Sequence, residues 1–362
     1  MSGGVDSSVA AALLQEQGYE VVGVTMRLLP ESEPQTASRP CCLTQDVEDA
    51  QGVCQRLGLP HYVLDYHAQF QTLVTDHSLN QYMEGLTPNP CLRCNQELKF
   101  RLLLDRALAL GFDYLATGHY ARIGYQDGSY HLLRGRDALK DQSYFLFTLG
   151  QDQLRHLLFP MGEYAKAQVR ALARERELGI AEKKESQDIC FASGDYRAFL
   201  SQHREPVSGE IVNSEGQVLG RHPGIAYYTI GQRRGLGLAS PRPRYVVGLV
   251  PQRQQVVVGE EAELYAQGLE AGSVSWVNGE HPFWPVKVTA RIRYRAIEAE
   301  AMIYPQGEGV AVFFSQPQRA VAPGQAVVFY QGEEVLGGGS IERVLSTQHS
   351  LNIAERRGSL LL

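Results

Sequence analysis

Apolar positions recur along this chain in two textures. Up to about residue 205 they alternate between helical and strand periods. Val9-Ala10-Ala11-Ala12-Leu13-Leu14 predicts a helix that closes near Gly18, a good residue for a helix C-terminus. Residues 19–26 form a short β-rich run, and residues 30–43, rich in Pro, Ser and Glu, read as a mobile loop. Thr44-Gln45-Asp46-Val47-Glu48-Asp49 opens a helix with acidic residues in its first turn, ending at Gly58. Tyr62–Asp65 is the next strand, 67–84 a further helix, and Asp113–Thr117 a third strand ending at Gly118-His119. This alternation predicts an α/β unit with a parallel sheet and ligands at the carboxyl ends of its strands, where Met26, Gly118 and His119 fall. Ala121–Leu133 reads as a hairpin turning at Asp127-Gly128, and 163–185 as a charged helix. Beyond 205 helical periodicity fades. Ile225–Ile230 and Tyr245–Val250 are strand-like, and from Val286 to Leu345 short strands between turn signals predict a small β-barrel. The expected units are 1–204, a mainly β central domain 205–270, a barrel 271–347 and a polar tail 348–362.

Composition narrows the class without changing that picture. At 362 residues there is room for about two or three domains. A hydrophobic fraction of 44% with 20% charged residues is that of an ordinary soluble globular protein. No apolar run reaches membrane-span length, and no signal segment opens the chain, so a cytoplasmic protein is expected. The six cysteines are Cys41, Cys42, Cys54, Cys91, Cys94 and Cys190, and their clustering in such a chain favours thiol or metal chemistry over a disulfide framework. The net charge of −6 confines any nucleic-acid contact to local patches. Residues 201–362 carry 15 Lys/Arg and 15 Asp/Glu, so the acidic excess lies in the first part of the chain. Arg233-Arg234, Arg242/Arg244 and Arg291/Arg293/Arg295 are the basic clusters of the later part. The last three, alternating, would share one strand face and meet RNA phosphates.

The candidate chemistry starts at the first residues, Met1-Ser2-Gly3-Gly4-Val5-Asp6-Ser7-Ser8. A Gly-Gly turn running into a helix lets the backbone approach a ligand, and the first helical turn offers unpaired N–H groups and a positive dipole end. That combination makes a phosphate pocket. It is not a Walker A loop, because no Gly-Lys-Ser/Thr follows. It resembles the PP-loop of ATP pyrophosphatases, which cleave ATP to AMP and pyrophosphate. A PP-loop normally follows a strand, and that strand is expected to be missing from this sequence, which opens at the loop itself. The second informative stretch is Asn89-Pro90-Cys91-Leu92-Arg93-Cys94-Asn95. Asn as N-cap and Pro at the first helical position place Cys91 and Cys94 in an opening turn, where thiol pKa values are lowered. Cys190, in Asp188-Ile189-Cys190-Phe191, could carry a reactive thiol or be a small buried apolar residue, and Cys41, Cys42 and Cys54 read as structural.

Taken together, the motifs resemble those of the tRNA-specific 2-thiouridylases. They are the PP-loop, Thr87-Pro88-Asn89-Pro90 before the cysteine turn, Ala116-Thr117-Gly118-His119-Tyr120, and Lys140-Asp141-Gln142-Ser143-Tyr144-Phe145. Asp188-Ile189-Cys190-Phe191, Thr229-Ile230-Gly231-Gln232-Arg233, Arg293-Tyr294-Arg295, Pro323-Gly324-Gln325 and Gly337-Gly338-Gly339 continue the match in order along nearly the whole chain. The resemblance implies 2-thiolation of the wobble uridine of tRNAs for Lys, Glu and Gln. ATP with Mg²⁺ adenylates uracil O2, and a cysteine persulfide then supplies sulfur, releasing AMP. It implies Cys190 as persulfide carrier and Cys94 as partner nucleophile, either releasing sulfide or resolving the intermediate as a Cys94–Cys190 disulfide. It implies Met1, Ser2, Gly3, Gly4, Val5, Asp6, Ser7, Ser8, Met26 and Gly118 at ATP, and Asn89, Pro90 and Cys91 at the target base. His119, Lys140, Asp141, Gln142, Arg293, Tyr294 and Gln325 are implied at tRNA, with a cysteine desulfurase or sulfur-relay protein as donor. Taken singly, His119 could cap a turn, Lys140 and Asp141 could be a solvated pair, and Tyr294 could pack in the barrel.

One departure opens a rival chemistry. Many relatives carry Asp where this chain has Cys91, so Cys91, Cys94 and Cys190 could instead ligate an iron–sulfur cluster. Two wider alternatives remain open at this stage: another PP-loop synthetase or tRNA-modifying enzyme, and a non-catalytic module that binds RNA.

Overall fold

The computed structural model describes residues 1–30, 44–183, 190, 196–203 and 205–345. In the first part of the chain helix α1 (Val5–Glu16) precedes strand β1 (Gly23–Arg27), α2 (Thr44–Leu57) and β2 (His61–Asp65). α1 is buried from Ser8 through Leu14 and stops at Gly18, whose φ of 88° matches the expected terminus. Its Val9, Ala10 and Leu13 pack with Val53 of α2 and with Val169 and Ala173 further on, so the run of small apolar residues is a core face. β1 and β2 are parallel, Gly23 opposite His61 through Arg27 opposite Asp65.

A continuous helical run follows: α3 (His67–Phe70), a π-helical turn Gln71–Asp76 and α4 (His77–Met83). The next begins as α5 (Pro90–Cys94), widens to a π-helix over Asn95–Leu103 and ends as α6 (Leu104–Ala109). Strand β3 (Leu115–Ala116) leads into the hairpin β4 (Ala121–Gln126) and β5 (Ser129–Arg134), turning at Asp127-Gly128 as predicted. After α7 (Gln151–Leu154), β6 (Leu157–Leu158) pairs in parallel with β3. The expected parallel sheet is therefore realised as two parallel pairs, β1–β2 and β3–β6. The charged helix expected over 163–185 is shorter. α8 (Lys166–Glu175) ends where Glu177 and Gly179 take positive φ.

Helix α9 (Tyr196–His203) leads to the central domain, a four-stranded sheet of β7 (Gly209–Val212), β8 (Val218–His222), β9 (Tyr245–Val250) and β10 (Gln255–Gly259) in the order β8-β7-β10-β9. The strand expected over Ile225–Ile230 does not form. Ile225–Tyr227 is a 3₁₀ turn whose Ile225, with Tyr228 after it, fills the core beneath the sheet, so an apolar run that looks β-like serves here as a plug.

The remaining strands are β11 (Tyr265–Trp276), β12 (Val286–Arg291), β13 (Ala299–Gln306), β14 (Gly309–Arg319), β15 (Ala326–Gln331) and β16 (Glu334–Leu345). Their order β11-β14-β13-β12-β15-β16 returns to β11, so the sheet closes into the expected barrel. The first barrel strand crosses position 270, where a boundary was expected, because Tyr265 to Ala271 already pair with β14. The N-terminal hairpin joins the same sheet, with Leu133 of β5 opposite Glu334 of β16. One core accordingly mixes Phe100, Leu104, Leu132 and Tyr144 with Val277, Val328, Tyr330 and Val335. The α/β unit and the barrel are thus one packed body at this seam. The loop expected at 30–43, from residue 31, and the tail after 345 lie outside the described residues.

Candidate active site

The glycine turn has the form its sequence implies. Gly3 is buried with φ 66°, and a Cβ there would sit 2.2 Å from the Asp46 carbonyl oxygen at the start of α2, so only glycine fits. Gly4 is the N-cap of α1 and accepts from the hydroxyls of Ser7, at 3.2 Å, and Ser8, at 2.9 Å. Ser2 bonds back to Ser7 through its backbone N–H at 3.1 Å. Gly118, at the end of β3, closes on the same turn: a Cβ there would lie 2.8 Å from the Ser7 amide nitrogen. Met1 lies along β1, its amine donating to the Val24 carbonyl and its carbonyl accepting from Thr25 Oγ1 at 2.9 Å. The N-terminal end of α1, the end of β3 and the edge of β1 therefore meet at one anion-favouring point.

Two lysines that the motifs did not single out hold this turn. Lys166 Nζ donates to both Asp6 oxygens at 2.7 and 2.8 Å, and Tyr120 Oη donates to Oδ1 at 2.6 Å. Lys183 Nζ donates to the Gly3 carbonyl at 2.9 Å, to Asp46 Oδ1 at 2.6 Å and to Asp49. Burial by itself would lower the pKa of Lys183, but the bonds from Asp46 and Asp49 outweigh it and raise it, so the ammonium stays charged. The only local signal for Lys183 is a charged run, Glu182-Lys183-Lys184-Glu185, which is indistinguishable from a solvated surface.

The cysteine turn is built as its sequence predicts. The Asn89 side chain accepts from the Leu92 N–H at 3.1 Å and Pro90 occupies the first turn. Cys91 is exposed, whereas Cys94 is buried. The turn is seated on the barrel. Thr87 N–H donates to the Pro323 carbonyl at 2.8 Å, and Gln325 Nε2 donates to the carbonyls of Thr87 and Pro88 at 3.0 and 3.3 Å. Cys94 sits in an apolar cluster with Leu28, Tyr66, Phe70, Val74 and Leu98, and Cys190 and Met26 pack against that cluster. Ninety-six residues apart in sequence, Cys94 and Cys190 belong to one apolar cluster at the end of β1, the strand whose Val24 and Thr25 hold Met1. Cys54 is buried beside Gly23, and burial raises its thiol pKa, as befits a structural cysteine. Cys41 and Cys42 lie outside the described residues.

The residues expected at tRNA face inward to differing degrees. His119 is 9% exposed, its Nδ1 is 2.7 Å from Thr117 Oγ1, and its ring lies between Phe100 and Phe159. Burial, with the nearby Lys99 charge, pushes its pKa well below the usual histidine value. Asp141 is buried and accepts from the Gly135 and Ser143 amides, both at 3.1 Å. Gln142 braces Tyr120 through side chain and backbone at 3.0 and 2.8 Å, and the Lys140 backbone N–H donates to the Asp137 carbonyl at 3.0 Å. Tyr294 packs on Phe145 with ring centres 4.4 Å apart. The basic face expected from Arg291, Arg293 and Arg295 does not form, because β12 ends at Arg291 and the chain turns. Arg291 pairs with Glu298 at 2.5 Å, Arg293 donates to the carbonyls of Arg319 and Ala320, and only Arg295 is exposed.

Neither metal expectation finds a prepared site. Among the described residues no three His, Cys, Asp or Glu side chains gather to hold an ion. Cys91 is exposed and is not part of the apolar cluster of Cys94 and Cys190, so the three thiols are not gathered as an iron–sulfur cluster would need. Both oxygens of Asp6 accept from Lys166, and Oδ1 accepts from Tyr120 as well, so this carboxylate is already partnered by a cation.

Known proteins agree with this layout. Residues 1–194 match the family described as tRNA methyl transferase HUP domain, residues 197–260 its PRC-barrel domain, and residues 266–341 the aminomethyltransferase beta-barrel domain. The tRNA-specific 2-thiouridylase MnmA of Moorella thermoacetica is 51% identical over 352 residues, 95% of this chain and 98% of its own length. That of Carboxydothermus hydrogenoformans is 50% identical over 353 residues, 95% and 97% of the two chains. The glycine turn with Cys94 and Cys190 lies within residues 1–194, and nearly all of the barrel within the last match. This chain belongs to the tRNA-specific 2-thiouridylase family, enzymes that transfer sulfur to tRNA.

Proposed function

We propose that the enzyme 2-thiolates the wobble uridine of tRNAs of the Lys, Glu and Gln type in two half-reactions. ATP lies with its phosphates on the amides from Gly3 to Ser8 and its nucleoside towards Met26 and Gly118. Uracil O2 attacks the α-phosphorus, the bond to the bridging oxygen breaks, and pyrophosphate leaves onto the N-terminal end of α1. Lys166 and Lys183 hold that end in place, their two ammonium groups offsetting most of the charge of Asp6, Asp46 and Asp49. Mg²⁺ would be carried mainly by the phosphates and water, where it offsets their charge.

The second half moves sulfur. A donor such as a cysteine desulfurase or relay protein loads Cys190 with a terminal persulfide sulfur. That sulfur attacks C2 of the adenylated base, and the C2–O bond breaks as AMP leaves. Cys94 thiolate then attacks the Cys190 sulfur, breaking the S–S bond, leaving sulfur on the base and a Cys94–Cys190 disulfide that an external thiol must reduce. If Cys94 attacks the persulfide first, sulfide is released and attacks C2 itself, with the same disulfide left behind. Asn89, Pro90 and Cys91 present the target base. The remaining expected contacts, from His119 to Gln325, would act chiefly by shaping the surface tRNA meets.

The observation that supports this reading is the shared apolar cluster of Cys94 and Cys190 at the end of the strand that holds Met1. A buried thiol next to a half-buried one suits a persulfide, which must be shielded from water yet reachable. The test is mass spectrometry of tRNA incubated with ATP and a sulfur source. Cys94→Ala and Cys190→Ala should abolish 2-thiouridine while tRNA-dependent pyrophosphate release persists. Normal thiolation by both variants would remove them from the mechanism.

A further inference from the structure

The basic face expected on the barrel is absent, and the structure offers another. Residues 233–244 fold into an open cleft of about 680 Å³ on the central domain, lined by Arg233, Arg242 and Arg244 with Leu236, Leu238 and Ser240. Among the described residues lining it none is acidic. The nearest carboxylate contact is exposed: Arg242, 76% accessible, lies 3.5 Å from Glu260. Such a pair contributes little and is easily exchanged for a phosphate. The loop that forms the cleft is tied at its base. Gly231 N–H donates to Val246, Val246 N–H to Gln232, and Gln232 Nε2 to the Arg234 carbonyl, so the loop is pinned to β9.

The cleft is also coupled to the sulfur pocket by one short helix. Arg197 of α9 lies against Gly235 of the loop, 3.1 Å from where a Cβ would stand, and extends the cationic surface. Two residues on, Phe199 of the same helix packs in the cluster that contains Cys94 and Cys190. We propose that this arginine cleft is a docking site for the tRNA sugar–phosphate backbone, holding the molecule while its target base enters the pocket of Cys94 and Cys190. The proposal rests on tRNA being the substrate. Guanidinium groups suit it because they bind phosphate in a bidentate fork, and a cleft without carboxylates offers no competing partner.

The test is equilibrium binding of an unmodified tRNA transcript to the full-length enzyme over a range of NaCl concentrations. Each phosphate contact contributes about 0.7–0.9 to the slope of log affinity against log salt. Arg233→Gln/Arg242→Gln/Arg244→Gln should lower that slope by about two and weaken binding roughly tenfold or more, leaving the KM for ATP unchanged. The Arg→Lys counterpart should keep most of the slope. If the triple glutamine variant melts early, the single substitutions Arg233→Gln and Arg242→Gln, on exposed side chains, should each lower it by about one. A slope equal to that of the unaltered enzyme in the well-folded variants overturns the proposal. An enzyme that binds tRNA with a normal slope but never thiolates it overturns the assigned reaction and not the cleft.

Discussion

At Lys183 a single ammonium joins the glycine turn to the first turn of α2. Its removal leaves two carboxylates facing a site made for polyphosphate, and frees the carbonyl of a residue held at positive φ. Lys183→Met should therefore raise the KM for ATP by about tenfold or more, equivalent to roughly 1.4 kcal/mol, with a smaller rise for Lys183→Arg. Steady-state kinetics of pyrophosphate release checks this. Adding Asp46→Asn and Asp49→Asn to Lys183→Met should recover part of the loss, since the repulsion goes with the charges. A loss that the added substitutions do not touch would mean the lysine acts only as a structural tie. Gln325 is a second joint of this kind, bonding the carbonyls before the cysteine turn from the barrel side. Gln325→Ala should lower the rate of thiolation by more than the ~1 kcal/mol it takes from stability, because it loosens the seat of Cys91 and Cys94. Thermal melting set beside a thiolation assay separates the two effects.

At the scale of elements, α5 shows how a local signal carries chemistry. Asn89 caps it and Pro90 starts it, which is enough to place both cysteines in one opening turn, while the packing around Cys94 decides that it is buried and Cys91 exposed. Asn89→Ala should cost about 1 kcal/mol in a melting curve, while Asn89→Asp should keep the cap. The hairpin β4–β5 is equally local in origin, since an Asp-Gly pair between alternating runs needs no tertiary help to turn. What it pairs with is not local, for its second strand extends the barrel wall. The run at Ile225 shows the limit of such signals. Its residues are apolar and β-branched enough for a strand, yet the space beneath β7, β9 and β10 takes them as a plug. Much of the secondary structure was legible because period and punctuation are properties of neighbouring residues. The arginines at 291 and 293 were misjudged because alternation implies a shared face only while the strand continues.

For the molecule as a whole, the seam between the α/β unit and the barrel carries a cluster of ion pairs. Arg134 of the hairpin binds Glu298 through two hydrogen bonds of 2.5 and 2.6 Å, Arg291 binds the same carboxylate, and Arg134 lies over the Tyr330 ring at 3.7 Å. Burial would raise the pKa of Glu298, but Arg134 and Arg291 outweigh it and hold the carboxyl below its usual value. A group whose pKa is depressed on folding contributes stability above its unfolded pKa and loses it as pH falls through the folded value. The enzyme should therefore lose stability in the acid range below the ordinary glutamate pKa, and Glu298→Gln should lack that component. The substitution itself should cost about 3 kcal/mol at neutral pH by leaving two largely buried guanidinium groups with only the more distant Asp141, 3.8 Å from each, as their anion. Urea melts of both proteins across pH provide the comparison, and parallel stability curves would remove Glu298 as the source.

The amino-acid sequence alone determined the glycine turn, the capped cysteine helix, the Asp-Gly hairpin and the barrel texture, since each follows from residues within a few positions of one another. It also held the family resemblance, which is a matter of motif order. The tertiary structure decided which distant groups come together: Cys94 and Cys190 in one apolar cluster, Lys183 with Gly3 and Asp46, Gln325 with the turn before α5. It decided as well that Arg291 and Arg293 serve the interior while the arginines of the 233–244 loop face solvent around a cleft. Local propensity acts over one or two turns of chain, whereas burial and ion pairing are settled between segments a hundred residues apart, and only the folded chain brings those together.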